Sequence, residues 1–184
     1  MLKLLLLDFD GTLADTRRAN ALAYIDALAE NGCRLEEEVY MKHYFGMRCH
    51  EFLACLGFDS AEERNRIRRR KIELYPSHFD SVCINEPLMN FVRNFRRCGG
   101  EAFIVSTGHI DNITNVMRHL DIEDEFDRII SGDDVECPKP DPECFIRAMQ
   151  MAGVSPHETM IFEDSEIGLQ AARSSGAAVI RINL

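Results

Sequence analysis

The chain has no CxxC pair, no HExxH or HxxxH spacing, and no apolar run approaching the roughly 20 residues needed to cross a bilayer. Each absence closes off a class of function. The seven cysteines are an odd set without paired spacing, so they read as free thiols of a reducing compartment, and a cytoplasmic address is expected. The six histidines lack the spacing of a zinc site built from His and Cys. Positive charge is also scarce: 21 Lys and Arg against 31 Asp and Glu leave a net charge of −10. Such a surface repels nucleic acid and anionic membranes, and neither is expected as a partner. An anionic small molecule would need a local positive site, which a metal ion can supply. The short run Leu4-Leu5-Leu6-Leu7 is cut off by Asp8 and Asp10, so it reads as a buried strand and not as the core of a signal peptide.

What is present fits one well-buried core with a modest insertion: 184 residues, 46% hydrophobic and 28% charged. A strand is expected at Lys3 to Leu7, then a helix from Arg17 to Glu30 stopped by Asn31-Gly32. From Glu36 to about Tyr75 the pattern stays helical, with Ser60 and Glu63 forming a capping box for a charged helix that ends near Pro76. Beyond Pro87 the pattern alternates. Helices are expected at Pro87 to Cys98, Ile110 to Leu120, Pro142 to Ala152 and Glu166 to Ser174. Strands are expected at Ala102 to Val105, Arg128 to Ile130, Thr159 to Phe162 and Ala177 to Ile182. This is an α/β chain with a doubly wound, parallel five-stranded sheet, and ligands of such sheets lie beyond the carboxyl ends of the strands.

The polar residues collect at those ends. Strand 1 runs into Asp8-Phe9-Asp10-Gly11-Thr12, strand 2 into Ser106-Thr107-Gly108 and strand 4 into Glu163-Asp164. The loop after strand 3 carries Lys139 among three prolines that restrict its backbone. A carboxylate such as Asp8 can attack a phosphoryl group and form an aspartyl-phosphate. Mg²⁺ held by Asp8, Asp164 and a backbone carbonyl would neutralise the approach of anion to anion. Ser106 and Lys139 would bind the phosphoryl oxygens, and Asp10, two residues past Asp8 on the same side, would serve as general acid and then base.

Asp8-Phe9-Asp10-Gly11-Thr12, Ser106, Lys139-Pro140 and Glu163-Asp164-Ser165 resemble the four ordered motifs of haloacid dehalogenase-type phosphatases, in the branch with phosphoglycolate phosphatase and β-phosphoglucomutase. The resemblance spans nearly the whole chain. It implies a catalytic core of residues 1–14 and 86–184 with a small α-helical cap, 15–85, inserted after strand 1. It further implies that Asp10 gives Mg²⁺ its main-chain carbonyl, that Asp164 is a direct ligand and that Glu163 supports the metal site. The expected activity is Mg²⁺-dependent hydrolysis of a small phosphorylated metabolite, of phosphoglycolate or sugar phosphate type, by a monomer or homodimer. Gly11, Thr107 and Arg48 are candidates for substrate contact. Asn20 stands where β-phosphoglucomutases carry a cap histidine, which disfavours the alternative of a sugar-phosphate mutase. A non-catalytic phospho-acceptor ranks third, because such domains carry their acceptor in mid-chain.

Each motif also has a plainer reading. A DxD after a strand is often a solvated turn, Ser106-Thr107 could merely cap a helix, and Lys139 alone would be a surface lysine. The run from Arg64 to Lys71 reads as a solvated helix face. His109 either faces the cleft or begins the following helix.

Overall fold

The computed structural model describes residues 1–45, 47 and 49–184. The chain divides into two compact units, Thr16–Val82 and the combination of Met1–Asp15 with Cys83–Leu184.

The smaller unit is helical: α1 (Arg17–Ala29), α2 (Glu37–His43), α3 (Cys49–Cys55) and α4 (Ala61–Leu74), closed by a 3₁₀ segment at Tyr75–Ser81. After α1 the chain turns at Gly32, whose φ of 74° suits a residue without a Cβ. Ser60 opens α4 by accepting the Glu63 N–H at 3.1 Å, while its hydroxyl donates to the Glu63 carboxylate at 2.8 Å. The core of this unit gathers Leu28, Phe52, Leu53 and Ile67, with Tyr24 meeting Phe52 edge-on at 4.9 Å. The expectation of a solvated basic face on α4 is corrected here. Arg66 does lie exposed, bonded to Asn31, and Arg70 is half-exposed, bonded to Glu30 and Glu73. Lys71, however, falls one helical turn after the buried Ile67 and is only 4% exposed. Its Nζ donates to the Asn20 amide oxygen at 2.7 Å and lies 3.9 Å from the centre of the Tyr75 ring.

The larger unit holds β1 (Leu4–Leu7), β2 (Ala14–Asp15), β3 (Cys83–Ile84), α5 (Glu86–Arg97), β4 (Glu101–Val105), α6 (Ile110–His119), β5 (Arg128–Ile130), α7 (Glu143–Ala152), β6 (Thr159–Glu163), α8 (Glu166–Ser174) and β7 (Ala178–Arg181). Five strands form one sheet in the order β5-β4-β1-β6-β7, parallel throughout. The two-residue antiparallel ribbon of β2 and β3, where the chain leaves and re-enters this unit, carried no sequence signal. β1 is central and fully buried on both faces, which its unbroken leucine run demands. Leu4 and Leu6 pack with Phe145, Ala148, Ala171 and Ala172 of α7 and α8. Leu7 pairs with Phe162, which meets Phe91 of α5 at 5.8 Å on the opposite face. The chain fills the sheet on one side of β1 with β4 and β5, then returns to the other side with β6 and β7. The switch point falls at the carboxyl end of β1. Among the described residues no helix is long and apolar enough to cross a membrane.

Candidate active site

The register fixes which side chains meet. Leu7 is level with Ile104 and with Phe162, so one step on Asp8 stands beside Val105 and Glu163, its N–H donating to Phe162 O at 3.0 Å. One step further along these two strands come Ser106 and Asp164. Lys139 enters from the loop before α7, across a cis Lys139-Pro140 peptide, and is only 5% exposed. Its Nζ donates to Asp8 Oδ1 at 2.7 Å, to Glu163 Oε2 at 2.7 Å and to Val105 O at 3.1 Å, so all three ammonium hydrogens have acceptors. The plain surface reading of Lys139 is thereby excluded.

Asp8 is 7% and Glu163 1% exposed, so little water screens the field at the Asp8 carboxyl. Burial pushes the Asp8 carboxyl up to about 8; Lys139 pulls it back, and Glu163 and Asp10 add to the rise. Burial alone would lower the Lys139 ammonium, but the two carboxylates at hydrogen-bond distance outweigh it, so Lys139 moves up and stays charged. Glu163 is fully engaged: beyond Lys139, its Oε1 accepts from the Asp164 and Ser165 N–H groups at 3.1 and 3.0 Å and from the Ser165 hydroxyl at 2.9 Å. Asp164 is half-buried, moved upward by burial against the hydrogen bond it accepts from the Thr12 hydroxyl at 3.0 Å.

The donor chemistry suits a hard divalent cation. Asp8, Glu163 and Asp164 each offer a carboxylate oxygen, and these oxygens lie within 4.8 Å of one another. Since Glu163 is already held by Lys139 and three donors of its own loop, Asp8 and Asp164 are the better ligands of the three. Asp10 is half-buried; its Oδ2 lies 3.5 Å from where a Cβ on Gly108 would stand, and Ser106 Oγ lies 3.3 Å from the same point. Asp10 and Ser106 therefore flank Gly108 together. Ser106 Oγ accepts the Gly108 N–H at 3.0 Å, which leaves the hydroxyl hydrogen to donate outward.

Gly11 has φ of 92°, and a Cβ there would fall 2.4 Å from Asp164 Oδ2, so only glycine lets the two motifs approach. Its N–H donates to Ala14 O at 2.8 Å within the turn. The Thr107 side chain is exposed, and Arg48 lies outside the described residues. His109 begins a helix: its Nδ1 accepts the Asp111 N–H at 3.3 Å as the N-cap of α6. Gly168 is a residue the sequence reasoning passed over. A Cβ there would stand 2.0 Å from Glu163 Cδ, so α8 can cross the Glu163 carboxylate only with glycine at this position. The available signal was a lone glycine inside a helix, which costs about 1 kcal/mol against alanine and so asks for a packing reason.

The order and geometry of these motifs have a counterpart among known proteins. A family model described as haloacid dehalogenase-like hydrolase matches residues 5–182. This chain belongs to the haloacid dehalogenase-like hydrolases. Its curated relatives include the fructose-1-phosphate phosphatase YqaB of Escherichia coli K12, 26% identical over 98% of this chain and 96% of that protein. A phosphoglycolate phosphatase of Nitrosospira multiformis is 27% identical over 97% of this chain and 82% of that protein. Among solved structures, CbbY from Rhodobacter sphaeroides in complex with phosphate superposes with a TM-score of 0.88 at 23% identity, covering 100% of this chain and 87% of that one. A β-phosphoglucomutase from Clostridium difficile gives 0.81 at 21%, covering 100% and 86%. At these identities both speak for the fold, the α/β core with a parallel five-stranded sheet that the sequence implied.

Proposed function

We propose that this hydrolase is a Mg²⁺-dependent phosphomonoester hydrolase that works through an aspartyl-phosphate on Asp8. The observation that carries the reading is Lys139 Nζ held between Asp8 and Glu163 at 2.7 Å each, with Asp164 alongside. A buried ammonium fixed there sets the nucleophile's orientation and lends positive charge to an otherwise acidic cleft. Asp8, Asp164 and the Asp10 main-chain carbonyl would hold Mg²⁺, which supplies the charge that lets an ionised Asp8 meet an anionic ester.

In the first step an Asp8 oxygen bonds to phosphorus as the ester P–O bond breaks, and Asp10 gives its proton to the departing alcohol. Water then attacks the acyl-phosphate, Asp10 takes up a proton, the Asp8 carboxylate is restored and inorganic phosphate leaves. The Ser106 hydroxyl donates to a phosphoryl oxygen through both steps. Residues 15–85 serve as a helical cap and residues 1–14 with 86–184 as the catalytic core, and Gly11, Thr107 and Arg48 are substrate-contact candidates. The relatives' names favour a small phosphorylated metabolite of sugar phosphate or phosphoglycolate type as substrate, with the enzyme acting in the cytoplasm as a monomer or homodimer.

The test is phosphate release from a panel of such esters, with Mg²⁺ and then with EDTA, for the wild type and Asp8→Asn. Activity is expected to vanish with EDTA and return with Mg²⁺. Asp8→Asn should fold normally, turn nothing over and trap no phosphoenzyme on acid quench. Turnover by Asp8→Asn would end the covalent mechanism.

A further inference from the structure

The loop that carries Lys139 runs from Glu136 to Pro142 and includes Pro138, Pro140 and Pro142. Three of its seven backbone positions therefore lack an N–H, and the loop has few donors with which to fix its own shape. Two of the remaining donors converge on one side chain. Glu143, in the first turn of α7, accepts the Glu136 N–H on Oε1 at 3.0 Å and the Cys137 N–H on Oε2 at 2.7 Å. The ring is closed elsewhere by short links: the Glu143 N–H donates to Asp141 Oδ1 at 2.9 Å, and the Asp141 N–H to Pro138 O at 3.1 Å. Lys139 projects from inside this ring to Asp8, Glu163 and Val105 O.

We propose that Glu143 is a positioning residue for the hydrolytic reaction, whose carboxylate clamps the two amides at the start of the loop and thereby sets where Lys139 places its ammonium. The inference rests on the phosphatase reading for its kinetic consequence. A carboxylate accepting two amide hydrogens is a strong two-point bond, and those same bonds hold the Glu143 carboxyl below the usual range, so it is ionised at neutral pH. Lys139, once buried, tolerates little displacement. Its three acceptors come from the end of β1, from β4 and from β6, so a shift of the loop by a fraction of an ångström disturbs a three-point arrangement that cannot be re-formed elsewhere. Charge delivered to the reacting phosphoryl group is felt chiefly in the transition state, so loosening the loop should lower kcat with little effect on KM.

The experiment compares wild type, Glu143→Ala and Glu143→Gln by steady-state kinetics and by peptide-level hydrogen exchange of the segment spanning residues 134–141. Glu143→Ala is expected to lose about 10- to 100-fold in kcat with KM within about 3-fold, and to exchange faster in that segment. Glu143→Gln keeps one acceptor oxygen and should fall between the two. The proposal is overturned if folded Glu143→Ala keeps wild-type kcat, or if exchange in the segment is unchanged. Should Glu143→Ala not fold, Glu143→Gln carries the same two measurements. Were the wild type to hydrolyse no phosphate ester, the phosphatase reading would fall, and the exchange result alone would decide whether the carboxylate holds the loop.

Discussion

Two lysines are buried to nearly the same depth, Lys139 in the α/β unit and Lys71 in the helical unit, at 5% and 4% exposure. Their surroundings differ. Lys139 is gripped by two ionisable carboxylates and a carbonyl, whereas Lys71 donates to a neutral amide oxygen beside the faces of Tyr75 and Tyr24. The first arrangement concentrates charge where a reaction can use it. The second sets an amide dipole and two ring quadrupoles around a cation.

The largest effect should come from replacing each lysine by methionine. Lys139→Met leaves Asp8 and Glu163 buried without their cation, and is expected to cost about 3–5 kcal/mol of stability and to abolish turnover. Lys71→Met removes the bond to Asn20 and the contacts with Tyr75 and Tyr24, and is expected to cost about 1–3 kcal/mol. Urea titration of both variants checks the contrast, and equal losses would break it. Next in size is Gly168→Ala. Its methyl group must displace the Glu163 carboxylate, so a loss of about 1–3 kcal/mol is expected together with a fall in kcat, since Lys139 and the Asp164 loop share that anchor. A Gly168→Ala enzyme with wild-type kcat would show that Glu163 can be moved freely.

The smallest effect concerns an ion pair at the opposite end of the sheet. Asp127 accepts two bonds from Arg96, at 2.8 and 3.2 Å, and one from the Ala102 N–H at 2.9 Å. Burial would raise its carboxyl, but Arg96 and the amide outweigh it and the net shift is downward. A depressed folded-state pKa adds stability that is present above the unfolded value of about 3.9 and is lost as pH falls through the folded value. Thermal midpoints measured from pH 7 to pH 3 should therefore fall less steeply for Asp127→Asn than for the wild type over the last pH unit. Parallel curves would mean the pair contributes nothing there.

The same comparison shows what the sequence could disclose. The five strands were legible because a parallel strand buried on both faces is written as an apolar run, and the polar residues that meet across the sheet sit one or two positions past the end. Leu4 to Asp10 is such a case. Boundaries moved by a residue or so, as at Glu101 and Glu163. Lys71 was hidden because five arginines on α4 swamp the single turn, Ile67 to Lys71, that faces inward. Glu143 and Gly168 were hidden for another reason. Their effect is exerted on backbone amides and on another residue's carboxylate, and no local pattern records which groups the fold will bring within reach.

The strand order has a consequence for how the polypeptide is made. Leu4 pairs with Glu101 on one side and Thr159 on the other. β1 is thus made long before its second neighbour, and at about 5–20 residues per second its four leucines wait on the order of ten to thirty seconds for β6. Until β4 is made the strand has no partner, and from then until β6 is made it keeps one open, fully apolar edge. Any pause in translation before β6 prolongs its exposure to chaperones and to other nascent chains.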